Sequence, residues 1–292
     1  MQNHIIENDF LKIAVNPTGA ELCSFVDKQD NVEHIWQADP KFWPRHAPIL
    51  FPTIGESKGG KIQVDGKEYP MNRHGFARTQ QFKVVVKAKD RITFELNSNA
   101  ATHKHFPFDF QFQVAYYFSE GNRLHQHFYV KNTGAKTLGF QLGGHPAFAV
   151  PFNKEETYND YQICFDQPLD IERHLLTDNG LFSGEKRPFL RDENSFGLDY
   201  KLFSEDAIVL KNIPSKKVWI QHKNGGKKLL MEYDEFPHFG IWSVVGADYV
   251  CLEPWIGCAD HADQPKGFFK KENLITLDAE EVFEAEFRIS IS

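Results

Sequence analysis

The sequence predicts an all-β fold, a large antiparallel β-sandwich with few short helices. Aromatic residues make up 14% of the 292 residues, and 27 residues are Phe. They fall in short runs bounded by Gly, Pro, Asn and Asp instead of in stripes with the i, i+3, i+4 spacing of a helix, which is the pattern of strands. The sequence indicates no long amphipathic helix, so a fold of alternating strands and helices is not expected.

Six segments are predicted as strands because they alternate with period two or are rich in β-branched and aromatic residues. In chain order they are 82–86, 91–96, 110–118, 124–130, 218–222 and 283–291. Gly- and Asn-containing turns at 64–67, 119–122, 132–134 and 224–226 are predicted to be hairpin connections. Short helices are expected only near 40–43 and 102–106, and 151–205 is expected to form loops and short strands that decorate the sandwich.

Composition and charge argue against several classes of protein. The chain 1–292 is expected to be a single domain, since no Pro/Ser linker or low-complexity segment divides it. A net charge of −7 and the lack of basic runs argue against nucleic acid or an anionic membrane surface as a partner. The sequence shows neither the pattern of a signal peptide nor an apolar stretch long enough to span a membrane, so a cytoplasmic location is predicted.

The short motifs of several enzyme classes are missing from the sequence. There is no GxGxxG, P-loop or GxSxG segment, which removes the usual support for nucleotide chemistry and for an α/β-hydrolase triad. Cys23, Cys164, Cys251 and Cys258 show no CxxC spacing. We therefore expect reduced, mostly buried thiols and not a zinc ribbon or a redox pair. A neutral or small polar ligand fits this composition better.

Four segments place polar side chains in apolar surroundings bracketed by Gly or Pro. They are PRHAPILFP (44–52), NRHGFAR (72–78), GGHPAF (143–148) and CLEPWIG (251–257). Glycine beside His74 and His145 allows the close approach of a ligand, and proline after His145 and Glu253 forces extended backbone there. A carboxylate and an imidazole together are what general acid–base catalysis near neutral pH requires.

The order of these motifs resembles that of the aldose 1-epimerase (galactose mutarotase) family, and within it the LacX-like branch. The segments that carry the resemblance are NPTGAEL (16–22), WPRHAPILFP (43–52), HGFAR (74–78), GGHPAF (143–148) and LEPW (252–255). HGFAR, GGHPAF and EPW are specific in combination. The resemblance implies a β-supersandwich that binds a free aldose in a groove across one sheet and interconverts its α and β anomers without a cofactor.

The resemblance also implies roles for individual residues. Glu253 is then the general base at the C1 hydroxyl, and His145 is the general acid that protonates the ring oxygen. His74 and Arg45 are implied to contact the sugar hydroxyls, and Asp206 falls where the family has a substrate-binding aspartate. We expect a bell-shaped dependence of the rate on pH, with Glu253 on the acid limb and His145 on the alkaline limb.

Other functions stay open at this point. HGFAR (74–78) is closer to the version in hexose-6-phosphate epimerases, and Arg78 is able to pair bidentately with phosphate. The Trp-rich segment of those enzymes is replaced here by ILFPTIG (49–55), so we favour an unphosphorylated aldose. A sugar-binding module without catalysis is the main alternative from another class. A glycosidase would need a second carboxylate beside Glu253.

No metal site is predicted. Potential ligands occur at 103–105, 125–127 and 260–263, but none of these groups has a third partner at suitable spacing. Aromatic faces suited to stacking on the C–H surface of a sugar are offered by four candidates, Trp36, Trp43, Trp242 and Trp255. The expected assembly is a monomer or homodimer that binds a small-molecule aldose.

Overall fold

The computed structural model describes residues 2–119, 122–263 and 267–292, which consist mainly of strands joined by turns. In chain order the strands are β1 (His4–Glu7), β2 (Leu11–Asn16), β3 (Glu21–Asp27), β4 (Val32–Glu33), β5 (Ile49–Leu50), β6 (Lys61–Val64), β7 (Lys67–Pro70), β8 (Lys83–Lys87), β9 (Arg91–Asn97), β10 (Phe110–Phe118), β11 (Arg123–Asn132), β12 (Leu138–Phe140), β13 (Leu142–Gly144), β14 (Ala147–Ala149), β15 (Tyr161–Leu176), β16 (Phe182–Gly197), β17 (Ile208–Leu210), β18 (Lys217–His222), β19 (Lys228–Glu232), β20 (His238–Trp242), β21 (Tyr249–Ile256), β22 (Ile275–Leu277) and β23 (Val282–Ile291).

The helices in the described ranges are single 3₁₀ turns. They lie at Ala77–Thr79, Thr102–Lys104, Tyr158–Asp160, Tyr200–Phe203 and Phe268–Lys270. None of these described helices has the length and apolar character needed to cross a membrane. The predicted all-β class with few short helices is confirmed.

One antiparallel sheet dominates the fold. This 15-stranded sheet runs in the order β5-β13-β21-β20-β17-β15-β18-β19-β23-β11-β10-β9-β8, with β14 paired to β21 and β16 paired to β15. A four-stranded sheet has the order β1-β2-β3-β4, and β12-β22 and β6-β7 form two small pairs. The C-terminal strand β23 lies between β19 and β11, so it joins parts of the chain that are distant in sequence.

The four-stranded sheet shares one core with the large sheet. Ile13 and Phe25 of the small sheet belong to the same buried cluster as Phe112 of β10. Tyr116, also on β10, donates its hydroxyl hydrogen to the carbonyl of Ala20 over 2.8 Å. The two sheets therefore form packed layers of a sandwich, with apolar side chains from both inner faces between them.

The strands predicted from sequence alternation are present. All six segments correspond to strands, namely β8, β9, β10, β11, β18 and β23, with small differences at their ends. The turns 64–67 and 224–226 close the β6–β7 and β18–β19 hairpins, and 102–106 contains a 3₁₀ turn. Of the predicted turn at 119–122, residues 120 and 121 lie outside the described residues.

Two predicted local structures are wrong. The turn 132–134 does not close a hairpin, because β11 lies in the large sheet whereas β12 pairs with β22. The segment 40–43 is a single hydrogen-bonded turn, in which the carbonyl of Asp39 accepts the N–H groups of Phe42 and Trp43. A helix cannot continue from it because Pro44 has no N–H to donate.

The region 151–205 also differs from expectation. Instead of loops and short strands it contains β15 and β16, which are 16 residues long each and form one hairpin. Their pairing shifts register several times, beginning between Cys164 and Leu169. Each shift interrupts the alternation of inward and outward side chains, so the sequence of this hairpin does not show a regular strand pattern.

Candidate active site

A cleft of about 440 Å³ opens on the large sheet, and most of the predicted site residues line it. They come from distant parts of the chain and are His74, Arg78, His145, Asp206 and Glu253. Arg45 is the exception: its Nη1 donates to the carbonyl of Arg78 over 3.4 Å, beside the cleft and not among the residues that line it. Tertiary structure thus brings five of the candidates together.

Strand β21 supplies the carboxylate and one aromatic wall. Glu253 and Trp255 are two residues apart and project from the same face of this strand, and both line the cleft. Gly240 on β20 lies opposite Glu253. A Cβ at Gly240 would come within 2.6 Å of the Trp255 ring, so glycine at this position leaves the space that the indole occupies.

His145 follows β13 and lies directly beside the carboxylate. Its Nε2 is 3.3 Å from Oε2 of Glu253, and the two side chains are 8% and 2% exposed. Within the described residues, Nδ1 of His145 and Oε2 of Glu253 have no aligned hydrogen-bond partner. Buried polar atoms are usually paired, and unpaired ones in a cleft are available to a ligand.

Burial favours the uncharged forms of both side chains. It raises the pKa of Glu253 well above its ordinary value, and the negative charge of Asp206 adds to this effect. Burial also lowers the pKa of His145 to about 3, with a smaller contribution from neighbouring arginines. The pair therefore holds one proton over a wide pH range. This order of pKa values is the reverse of the order expected from the sequence, in which Glu253 sets the acid limb.

His74 has a constrained backbone and a defined tautomer. Its φ is +65° and that of Gly75 is +73°, and a Cβ on Gly75 would lie 2.2 Å from the carbonyl oxygen of Phe51. Nδ1 of His74 accepts the N–H of Gly55 over 3.1 Å, which leaves the proton on Nε2. Burial, followed by the charge of His145, lowers the pKa of His74, so the ring offers a neutral N–H donor.

Arg73 lines the cleft and was not identified from the sequence. Its Nη2 is 3.8 Å from Oδ2 of Asp206, and its Nε is 3.9 Å from Oε2 of Glu56. Gly180, in the turn between β15 and β16, lies so close that a Cβ there would be 1.6 Å from Nη2 of Arg73. The only sequence signal was its position directly before His74, within a segment already singled out.

Two tryptophan rings pack against the imidazole of His145. Trp43 stacks on His145 with ring centroids 5.0 Å apart and an interplanar angle of 26°. Trp242 contacts the same imidazole edge-on at 5.8 Å. These two and Trp255 line the cleft, whereas Trp36 does not; it contacts Tyr249 in the neighbouring aromatic cluster.

Among the residues that the structure describes, two groups of side chains have a donor set that suits a metal ion. His145, Cys251 and Glu253 form one, with ligand atoms within 4.8 Å of one another, and the other is His238, Cys258 and Glu272. In the second group both nitrogens of His238 already have partners, the N–H of Asn212 and the side chain of Asn273. The ligand candidates from the sequence are also paired: His103 with Asp109, His125 with Glu286, and Asp260 with Lys271.

The fold and this cleft together define a galactose mutarotase-like β-sandwich protein. The model of the aldose 1-epimerase family matches residues 2–290, and the chain belongs to the aldose 1-epimerase family. Among curated proteins it is similar to the plasmid-encoded protein LacX of Lactococcus lactis subsp. lactis, with 32% identity over 268 residues that cover 89% of each chain. The resemblance to this family is therefore confirmed.

Solved structures agree with this placement. A galactose mutarotase related enzyme from Lactobacillus acidophilus superposes with a TM-score of 0.94 at 32% identity, covering 100% of this chain and 97% of the other. A galactose mutarotase-like protein from Lactobacillus casei ATCC 334 gives 0.92 at 31% identity, covering 99% and 100%. The match covers 100% and 99% of this chain, so the strands that carry the cleft residues belong to the shared fold.

Proposed function

We propose that the protein is an aldose 1-epimerase that interconverts the α and β anomers of a free hexose such as galactose or glucose. The observation that carries the proposal is the buried pair of Glu253 and His145, whose facing atoms are 3.3 Å apart in a cleft walled by tryptophans. Anomeric exchange requires two proton transfers, at O1 and at the ring oxygen. One positioned acid and one positioned base are sufficient for it.

In the proposed reaction the Glu253 carboxylate takes the proton of the C1 hydroxyl while the His145 imidazolium donates a proton to the ring oxygen. The bond between C1 and the ring oxygen breaks with its electron pair on oxygen, and C1–O1 becomes a carbonyl. Rotation about C1–C2 then presents the other face of the aldehyde. In ring closure, protonated Glu253 returns a proton to the carbonyl oxygen and neutral His145 takes the proton of the attacking hydroxyl.

This cycle begins from a pair that holds one proton. Burial favours that proton on Glu253 in the free protein, and its transfer over 3.3 Å to His145 produces the base and the acid in one step. The positive charge of Arg73 lowers the pKa of Glu253 and also that of His145. His74, Arg73 and Asp206 are proposed to bind hydroxyl groups of the sugar.

Polarimetry tests the proposal. Freshly dissolved α-D-glucose and α-D-galactose should reach anomeric equilibrium faster with the protein than in buffer. Glu253→Gln should remove the acceleration, because an amide cannot take the proton from O1. Glu232→Gln is the matched control: Glu232 is 7% exposed, comparable to a core residue, but it does not line the cleft.

The same experiment distinguishes the proposed epimerase from a sugar-binding module without catalysis. If wild-type protein binds these sugars in calorimetry but accelerates neither them nor their 6-phosphates, the protein is a carbohydrate-binding module. If Glu253→Gln retains the acceleration, the general base has been assigned to the wrong residue.

A hexose 6-phosphate is a second candidate substrate, supported by two arginines. Arg45 and Arg78 donate to main-chain carbonyls, and within the described residues neither forms an ion pair with a carboxylate. Burial, followed by the charge of Arg45, lowers the pKa of Arg78 to about 10. The nearby charge of Glu21 opposes this shift, and the two adjacent guanidinium groups are suited to binding an anionic group.

Comparison of KM values for glucose and glucose 6-phosphate tests this second candidate. Arg78→Gln should raise KM for the phosphate ester selectively, and Arg123→Gln, which changes an arginine paired with Glu232, should leave the ratio of the two KM values unchanged. An equal effect of Arg78→Gln on both sugars would exclude a phosphate site at Arg78.

A further inference from the structure

The motif NPTGAEL (16–22) has no role in the proposed reaction, but it lies against the segment that carries His74. Gly19, between β2 and β3, has a φ of +76° and donates its N–H to the carbonyl of Gln80 over 2.8 Å. A Cβ on Gly19 would be 2.8 Å from the carbonyl oxygen of Arg78. Glycine is therefore required for this close approach.

Glu21, the first residue of β3, binds a second segment of the site. Its Oε1 accepts the N–H of His46 over 2.7 Å and the N–H of Ala47 over 3.0 Å. Glu21 is only 7% exposed, and in the described part of the chain it forms no ion pair. Its carboxylate is thus compensated by main-chain N–H groups of the segment 43–48.

The segment 43–48 in turn contacts His145 from several sides. The carbonyl of Pro48 accepts the N–H of His145 over 3.1 Å, and the carbonyl of His46 accepts the N–H of Ala147 over 2.9 Å. Trp43, at the start of the segment, stacks on the His145 ring. Both the backbone and the imidazole of His145 therefore depend on where this segment lies.

We propose that Glu21 is a positioning residue for the epimerase reaction. By holding the N–H groups of His46 and Ala47, its carboxylate fixes the segment 43–48 and, through it, the place of the His145 imidazole beside Glu253. The inference rests on the proposed function. Glu21 does not line the cleft, so it acts through the segment 43–48 and not by contact with the sugar.

Kinetics of two substitutions test the proposal. Glu21→Leu has a similar size but no acceptor, and it should lower kcat for glucose mutarotation roughly 10- to 100-fold, the cost of a misplaced catalytic group, while KM changes far less. Glu21→Gln should retain most of kcat, because the amide oxygen accepts the same two N–H groups.

Glu33→Leu is the matched control. Glu33 lies in the same four-stranded sheet, and its Oε1 accepts the N–H groups of Phe25 and Ile35, both over 2.8 Å. In the described part of the chain, none of its hydrogen bonds reaches the segment 43–48. This variant should lose thermal stability and keep kcat at temperatures where it is folded. An equal loss of kcat in the two leucine variants would overturn the proposal.

An NMR measurement tests the same inference without an activity assay. The Cε1–H resonance of His145, assigned with His145→Asn, carries the ring-current shift of Trp43. It should move in Glu21→Leu and remain in place in Glu21→Gln and Glu33→Leu. If it does not move in Glu21→Leu, Glu21 does not position the imidazole. Wild-type protein without mutarotase activity would instead refute the proposed function, whatever this resonance does.

Discussion

Burial is the main reason why Glu253 and His145 differ from the same residues at a surface. Both lie in surroundings that penalise charge, so the carboxyl retains its proton to higher pH and the imidazole gains one only at lower pH. Because the two groups are in contact, their protons are lost in two steps that belong to the pair. The proposed reaction requires the state with one proton in both directions.

The first prediction is a broad bell-shaped profile of kcat/KM against pH. Activity should fall at acid pH when the pair gains a second proton and at alkaline pH when it loses its last one. Since burial lowers the pKa of His145 to about 3 and raises that of Glu253, the two limbs should be separated by a broad level region. Mutarotation rates across the pH range measure it. A single titration with a midpoint near pH 6.5, the ordinary value of a histidine, would contradict it.

The second prediction is that Glu253→Gln becomes more stable than wild-type protein as the pH rises. The pKa of Glu253 is higher in the folded state than in the unfolded chain, so the folded state binds more protons and the free energy of unfolding falls as pH increases above the unfolded pKa. The amide variant lacks this penalty, which is about 1.4 kcal/mol for each unit by which the two pKa values differ. Thermal unfolding between pH 4 and pH 9 measures it.

For Glu232 we expect the opposite dependence of folding stability on pH. Burial alone would raise its pKa, but the hydrogen bond from Lys217 and the charge of Arg123 lower it overall. Its contribution to stability is therefore present above the unfolded pKa and is lost as the pH falls. Glu232→Gln should be less stable than wild type at neutral pH. If both amide variants change the melting temperature in the same direction, the burial argument for Glu253 is wrong.

At the scale of elements, the β15–β16 hairpin forms part of the cleft wall. Its turn contributes Gly180, and Phe182 at the start of β16 also lines the cleft. A Cβ at Gly180 would lie 1.6 Å from Nη2 of Arg73, so a larger residue there requires the end of the Arg73 side chain to move. A long irregular hairpin thereby helps to determine where the Arg73 side chain lies in the cleft.

The third prediction concerns Gly180→Ala. The added methyl should displace Arg73 from Asp206 and raise KM for the sugar roughly tenfold, which corresponds to about 1.4 kcal/mol of binding, with a smaller change in kcat. Gly184→Ala is the matched control, because Gly184 lies on the same hairpin with a φ of +88° and nothing near its Cβ position. Steady-state kinetics of both variants check this. Equal KM values would show that Arg73 does not bind the substrate.

At the scale of the whole molecule, the cleft depends on both sheets. The large sheet supplies Glu253 on β21, and the small sheet supplies Glu21, which binds the segment 43–48. One buried cluster extends through both layers. The two sheets are thus expected to be a single cooperative unit.

The fourth prediction is one unfolding transition for the chain. Because the layers share their core, loss of the small sheet would expose apolar surface of the large one, and partial unfolding is unfavourable. Calorimetry should give one peak, and near- and far-ultraviolet circular dichroism should change together. Separate transitions by the two signals would show that the four-stranded sheet unfolds independently.

Local sequence patterns were sufficient to predict much of the fold. The strands β10 and β23 were predictable because their alternation of apolar and polar side chains is regular, as expected for sheets with one face in a core. The hairpin β15–β16 was not, because its register shifts break that alternation. Segment 40–43 was misassigned because one hydrogen-bonded turn before a proline has the same local composition as a short helix.

The sequence by itself determined the all-β class, the family resemblance and the candidate pair of Glu253 and His145, since these depend on local patterns and short motifs. Only the tertiary structure decided that Arg73 lines the cleft, that Arg45 lies beside it, and that burial reverses the expected order of the two pKa values. The physical reason is that distance and desolvation depend on which strands become neighbours. Neighbours in this sheet, such as β13 and β21, are more than a hundred positions apart in the printed chain.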